Sequence, residues 1–338
     1  MTSFQTEPDF PNGQREQTGV LLVNLGTPAA PEAAAVRPFL RRFLSEPRVI
    51  ELPALLWQPL LRGLILPLRS GASAKKYRKV WLREGSPLNV FTARQCDGLR
   101  ARLPESVHVE YAMTCGAPSV HESLRVLKSK GVGRLIVLPL YPQYAASSSG
   151  AALDKVFGEL MRQRDQMSVR TVSRFYRHPA YIAAAAAQIR NYRAQHGSGE
   201  KLLFSFHGIP QKQHDAGDPY AHQCIESARL IAAALGLAAQ DYAVSFQSRF
   251  GPAKWLEPST HSLLVSLPRK EHIRSLDVFC PGFVSDCLET TEEIALAGRE
   301  TFHAAGGSRF NYIPCLNDNP DWLDALAAIV RDNGAGWL

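Results

Sequence analysis

The run Leu202 Leu203 Phe204 Ser205 Phe206 His207 Gly208 Ile209 Pro210 puts an imidazole at the end of an apolar segment. The apolar residues read as a strand buried on both faces, and Gly208 and Pro210 stop it just after His207. A group that takes protons or binds metal near neutral pH then stands at a strand's carboxyl end, where open α/β sheets bind ligands. The same histidine would serve equally well to cap a turn or satisfy a core hydrogen bond. Further along, Asp277 to Val284 again reads as strand then loop, and Ser285 and Asp286 open a helix expected to run to about Ala305. On it Asp286, Glu289 and Glu293 fall at i, i+3 and i+7, one stripe of carboxylates. Capping and the helix dipole account for the first acid, not the third. Glu292 widens the acidic surface, and a solvated outer face would account for it and Glu293 alike. His207 and Glu289 facing each other across a cleft would make a nitrogen and oxygen site for a divalent ion and a base for protons.

These residues need a scaffold, and the hydrophobic pattern predicts one. Strands are expected at Gly19 to Asn24, Val107 to Ala112, Arg134 to Leu140, Val169 to Ser173, Leu202 to Phe206, Tyr242 to Phe246, Leu276 to Cys280 and Arg309 to Ile313. Helical patterns lie between most of them, among them Glu32 to Leu44, Ser119 to Lys130, Ala151 to Arg164, Pro179 to Gln195, Pro219 to Leu235 and Asp321 to Arg331. Alternation of this kind predicts an α/β fold of two similar lobes, each a parallel four-stranded sheet flanked by helices, with the ligand cleft between them. The lobes are expected at residues 18–167 and 168–317, after a loose tail at 1–17, with a terminal helix at 318–334 packing back on the first lobe.

The 338 residues, 45% hydrophobic and 20% charged, suit a globular enzyme. The polar start has no basic segment followed by an apolar core, which points to a cytoplasmic protein, at most peripheral at the inner membrane. Cys96, Cys115, Cys224, Cys280, Cys287 and Cys315 form no C-x-x-C pair and read as reduced, mostly buried thiols. The net charge of +7 comes without a long basic run interleaved with aromatics, so anionic small molecules or a membrane surface fit better than nucleic acid. Leu52 to Leu68 is rich in leucine but interrupted by Pro53, Pro59, Arg62 and Pro67, too short and broken to span a bilayer. It reads either as a buried helix and loop or as an apolar lip for a membrane or a greasy ligand. No G-x-G-x-x-G follows the first strand and no P-loop occurs; the Ser147 Ser148 Ser149 Gly150 turn is an anion cradle or a capped flexible loop.

Six motifs together resemble ferrochelatase. They are Leu21 to Pro28, Tyr77 Arg78 Lys79 to Gly85 Ser86 Pro87, Tyr141 to Tyr144, Ser205 to Pro210, Phe246 to Pro252 with Trp255, and Ser285 to Thr290, in order from about Gly19 to about Pro320. The resemblance implies insertion of Fe(II) into protoporphyrin IX with release of two protons, the last step of heme synthesis, on a chelatase fold of two Rossmann-like lobes. His207 would take the pyrrole protons or hold iron, Glu289 would face it as catalytic and metal-binding partner, and Asp286 and Glu293 would continue a path for protons or the ion. Leu25 would pack on the macrocycle, Arg69, Tyr77 and Ser86 would bind propionates, and Trp255 would form a wall that helps bend the ring. Iron enters as substrate.

The chain also departs from the pattern. Thr114 and Cys115 stand where the family commonly has Arg and Tyr, and Cys287 where some relatives have His. Clustered terminal cysteines are missing, so no iron–sulfur cluster is expected. The alternatives are a coproporphyrin ferrochelatase, another tetrapyrrole chelatase, a non-catalytic porphyrin or heme carrier, and a two-lobed sensor. A monomer is slightly favoured.

Overall fold

Eight strands form two four-stranded sheets in the computed structural model, which describes residues 4–7, 16–249 and 251–338. Residues 1–3 and 8–15 of the expected tail, and Phe250 of the 246–252 motif, lie outside the described residues. The strands are β1 (Gln17–Asn24), β2 (Val107–Met113), β3 (Val132–Pro139), β4 (Ser168–Thr171), β5 (Lys201–His207), β6 (Tyr242–Gln247), β7 (Ser275–Phe279) and β8 (Arg309–Ile313). The sheet orders are β2-β1-β3-β4 and β6-β5-β7-β8, and every pairing is parallel. Each sheet thus repeats one plan, its first strand held between its second and third. That position explains why Val20 to Val23 and Leu202 to Phe204 are continuous apolar runs, all fully inaccessible to solvent.

The chain divides into two units. The first takes residues up to 141, then 145–174 and 326–338; the second takes 142–144 and 175–325. The turn at 142–144 belongs to the second unit, where Gln143 Nε2 donates to Ser227 Oγ at 2.8 Å and Tyr144 N donates to Gln223 Oε1 at 2.8 Å. In the first unit Leu21, Val23, Leu135 and Val137 pack with Leu124, Leu127, Val156 and Leu160 from helices Val120–Ser129 and Ala151–Leu160. In the second, Leu203 and Val278 pack with Leu264, Leu267, Phe302 and Phe310. The described part of the expected loose tail is docked, with Gln5 N donating to Arg162 O at 2.9 Å and Glu7 pairing with Lys128 at 3.1 Å.

The prolines of the leucine-rich segment do not interrupt it. Helices Ala54–Leu60 and Leu66–Val80 run through a π-helical turn at Leu61–Ile65, and that change of hydrogen-bond pattern falls between Pro59 and Pro67, two positions that cannot donate. The buried positions Trp57, Leu61, Leu66, Ser70, Ala74 and Tyr77 show the consequence, since the step of five from Leu61 to Leu66 crosses the wide turn. The segment has a packed face and an exposed one. Trp57, Leu61 and Leu66 pack on Leu44, with Trp57 Nε1 donating to Leu44 O at 2.6 Å, whereas Leu52, Leu55, Leu56, Leu60, Leu64 and Leu68 are exposed, Leu55 by 86%. Among the described residues no helix is long and apolar enough to cross a membrane.

The second sheet carries a buried charge on β7. Asp277 is fully inaccessible, and its Oδ2 accepts from Arg193 Nε at 2.7 Å and Gly199 N at 3.0 Å, while Oδ1 accepts from Asn311 Nδ2 at 2.8 Å. Asp277→Ala would strand all three donors and is expected to destabilise the protein by about 3 kcal/mol. A chemical-denaturation midpoint equal to that of the unaltered chain would rule this out.

Candidate active site

His207 is the last residue of β5, and its register partner on β6 is Gln247. Its Nδ1 lies 2.6 Å from the Gly208 carbonyl oxygen. A carbonyl only accepts, so Nδ1 carries the hydrogen, and in the neutral ring Nε2 keeps the free lone pair. Gly208 stands in a tight place, because a Cβ there would lie 3.0 Å from Gln247 O and 3.2 Å from the Trp255 ring. Half-buried Trp255 is thereby seated against the residue that follows His207, and it is held by a bridge to Pro210.

The acidic segment differs from the expected regular helix. It starts at Leu288 rather than Ser285, with Cys287 as its cap and Cys287 N donating to Thr290 Oγ1 at 2.9 Å. It then runs through a π-helix at Thr291–Gly298 into Arg299–Ala304. Asp286 is therefore off the helix, and the i, i+3, i+7 stripe does not form. Its carboxylate is instead the hub of a loop network, accepting from Asn317 Nδ2 at 2.7 Å, Thr290 Oγ1 at 3.0 Å and Tyr312 Oη. Glu292 is buried, not part of a solvated face.

Glu293 lies within electrostatic reach of both His207 and Glu289. Burial pushes the Glu293 carboxyl above its ordinary range and the Glu289 charge adds to that, while two hydrogen bonds from Ser248 and the nearby His207 pull it down. Ser248 N donates to Oε1 at 2.7 Å and Ser248 Oγ to Oε2 at 2.6 Å. Gln247 Nε2 donates to the backbone carbonyl of Glu289 at 2.7 Å, and Gln247 Oε1 accepts from Ser205 Oγ at 2.5 Å. Sequence reasoning attached no role to Gln247 or Ser248. The signal was there, as two polar residues directly after an apolar strand.

In the first unit Leu25 follows the end of β1, and its carbonyl accepts from Cys115 N at 2.8 Å and Thr114 Oγ1 at 3.0 Å. Gly26 has φ 97°, and a Cβ there would lie 2.9 Å from Gly116 N, so the two loops pack backbone to backbone. Leu25, Thr114, Cys115 and Tyr141 line one small recess together with Glu46 and Ser148. Ser86 caps the helix Pro87–Arg100, and Thr27 Oγ1 donates to its Oγ at 2.8 Å, which ties Ser86 to the loop carrying Leu25. Arg69 is exposed on Leu66–Val80, and Tyr77 on the same helix is buried edge-on against Phe39 and Trp81.

The Ferrochelatase family profile matches residues 17–334. The chain belongs to the ferrochelatase family. It is 58% identical over 337 residues to a protein of Neisseria meningitidis serogroup C named ferrochelatase, with both chains fully covered. It is 51% identical over 341 residues to one of Chromobacterium violaceum, covering 100% of this chain and 93% of that one. Among solved structures it is similar in fold to SirB from Bacillus subtilis with Fe3+, at TM-score 0.56 and 10% identity over 94% of this chain and 96% of that one. The structure of CbiX, the terminal enzyme for biosynthesis of siroheme in denitrifying bacteria, gives TM-score 0.50 and 14% identity over 93% and 98%. The chain is accordingly an enzyme of the chelatase type, with two parallel four-stranded sheets flanked by helices.

Cys115 and Cys287 are the two titratable groups expected to depart from the ferrochelatase pattern. Both are buried, and burial raises both thiols; for Cys287 the adjacent Glu289 charge adds to the rise. All six cysteines are buried and free of disulfides. The folded Glu293 carboxyl keeps its proton at a pH where the unfolded chain has lost it, so stability falls as pH rises from the ordinary glutamate range through the folded value. Glu293→Gln is expected to flatten that fall when denaturant midpoints are measured against pH. A slope identical to that of the unaltered chain would contradict the raised value.

Proposed function

We propose that this chain inserts ferrous iron into protoporphyrin IX and releases two protons, with His207 Nε2 as the proton acceptor or iron ligand and Glu289 as its partner. The observation that carries the reading is the family match over residues 17–334, joined by a Glu293 carboxyl within electrostatic reach of His207 at the end of β5 and of Glu289. Metalation must remove both pyrrole protons and strip water from the ion, which asks for a base and for weak ligands that then let go. Imidazole and carboxylate meet that need, whereas a set of thiolates would retain the ion. Glu293 is the next carboxylate of the path. Asp286 enters as the anchor of the loop before it, since its oxygens accept from Tyr312, Asn317 and Thr290. Leu25, Arg69, Tyr77 and Ser86 are the proposed porphyrin contacts of the first unit, and Trp255 is that of the second. No iron–sulfur cluster has a part in this reading.

Heme formation is read directly by absorbance when pure protein, Fe(II) and protoporphyrin are mixed without oxygen. His207→Ala is expected to lower kcat by at least about a hundredfold, within the range of general base catalysis. Heme from the variant at the full rate would remove His207 from the reaction. A parallel reaction with coproporphyrin identifies the preferred ring, and the exposed leucines around Leu55 and Leu56 favour the less polar protoporphyrin.

Those leucines also support peripheral contact with a bilayer surface, apolar side chains entering while Arg62 and Arg69 meet anionic headgroups. Vesicles containing anionic lipid are expected to co-sediment with the protein and to lose it on Leu55→Ser with Leu56→Ser. Equal sedimentation of both forms would discard this contact.

A further inference from the structure

We propose that Ser248 is a positioning residue for metalation, fixing the Glu293 carboxylate in place and orientation beside His207. This rests on the chelatase reading above and adds a residue that acts through Glu293.

Ser248 has φ 65°, in the left-handed region that non-glycine residues seldom occupy. That conformation turns its N–H toward the same carboxylate that its side chain reaches. Ser248 N donates to Glu293 Oε1 at 2.7 Å and Ser248 Oγ to Oε2 at 2.6 Å, one donor for each oxygen. A glutamate alone has freely rotating side-chain bonds; with both oxygens held it has one position. The preceding residue fixes the same segment from its other end. Gln247 pairs in register with His207 and donates from Nε2 to the Glu289 carbonyl at 2.7 Å. Two consecutive residues at the end of β6 therefore set the backbone at Glu289 and the side chain at Glu293. A run that changes to π-helical hydrogen bonding at Thr291 needs such ties, because its own wide turns pack less well.

Two chemical consequences follow. A carboxylate whose oxygens already accept hydrogen bonds is a weak ligand, suited to passing an ion on rather than keeping it. The held carboxyl group also stays beside His207 while a proton moves from a pyrrole nitrogen to His207 Nε2, the electron pair of the broken N–H bond remaining on the pyrrole nitrogen that binds the ion.

The test is a double-mutant cycle on heme formation. Ser248→Gly keeps the N–H and suits the backbone conformation while removing Oγ, and Glu293→Ala removes the group it holds. Ser248→Gly alone is expected to lower kcat about tenfold with KM for porphyrin unchanged, one hydrogen bond to a charged group. In the Glu293→Ala background the same change is expected to cost nothing further. An unchanged kcat for Ser248→Gly, a loss seen only in KM for porphyrin, or equal losses in both backgrounds would overturn the positioning role. A protein that makes no heme before any substitution fails the chelatase reading itself and takes this role with it. The same cycle on denaturation midpoints, free of turnover, is expected to show coupling between Ser248 and Glu293, and independent effects would dissolve the contact.

Discussion

A parallel strand buried on both faces must end where its last backbone groups still find partners, and the second unit is organised around that requirement at the end of β5. The ladder with β6 continues one residue beyond His207, because Gly208 N donates to Gln247 O at 2.8 Å. His207 is thus pinned as the final side chain of a rigid strand. Glycine follows in a tight place between Gln247 O and the Trp255 ring. One backbone hydrogen bond and one missing methyl group seat the imidazole, the indole and the end of β6 together.

From that seat the arrangement spreads through β6. Gln247 joins Ser205 in the sheet to the Glu289 carbonyl, and Ser248 takes hold of Glu293. The loop before the acidic helix is anchored separately through Asp286 and its donors from Tyr312, Asn317 and Thr290. The acids near one another in sequence therefore divide their work by environment. Asp286, with three side-chain donors, is structural, while Glu289 and Glu293 share their field with His207. A site assembled from strand ends and a tied helix is stiff, and stiffness lets weak ligands act at defined positions without binding an ion tightly.

Wide helical turns recur where the chain does something a regular helix would not. The leucine-rich run absorbs two prolines with a π-turn, which steps its buried face by five residues and leaves a row of leucines exposed. The acidic segment uses a longer one just past Glu289. Periodicity computed for a regular helix misreads both, predicting interruption in the first and a single carboxylate stripe in the second.

Much was legible from residue order. Apolar runs broken by glycine and proline located all eight strands to within a few residues, since a strand buried on both faces has little freedom in composition. His207 at a strand end, the acids at Glu289 and Glu293, and the ordered motifs of the ferrochelatase family were equally plain. What residue order could not carry were contacts between residues far apart in the chain. Asp286 looked like the first member of a stripe until Tyr312 and Asn317 drew it aside, and Ser248 carried no role until both its donors turned to Glu293. Local patterning determined which elements form and which chemical groups they bear, because propensity and burial act along the chain. Only the tertiary structure decided that Glu293 comes within reach of His207 and what holds it, because hydrogen bonds between strand ends and a π-helix depend on distances the linear order does not encode.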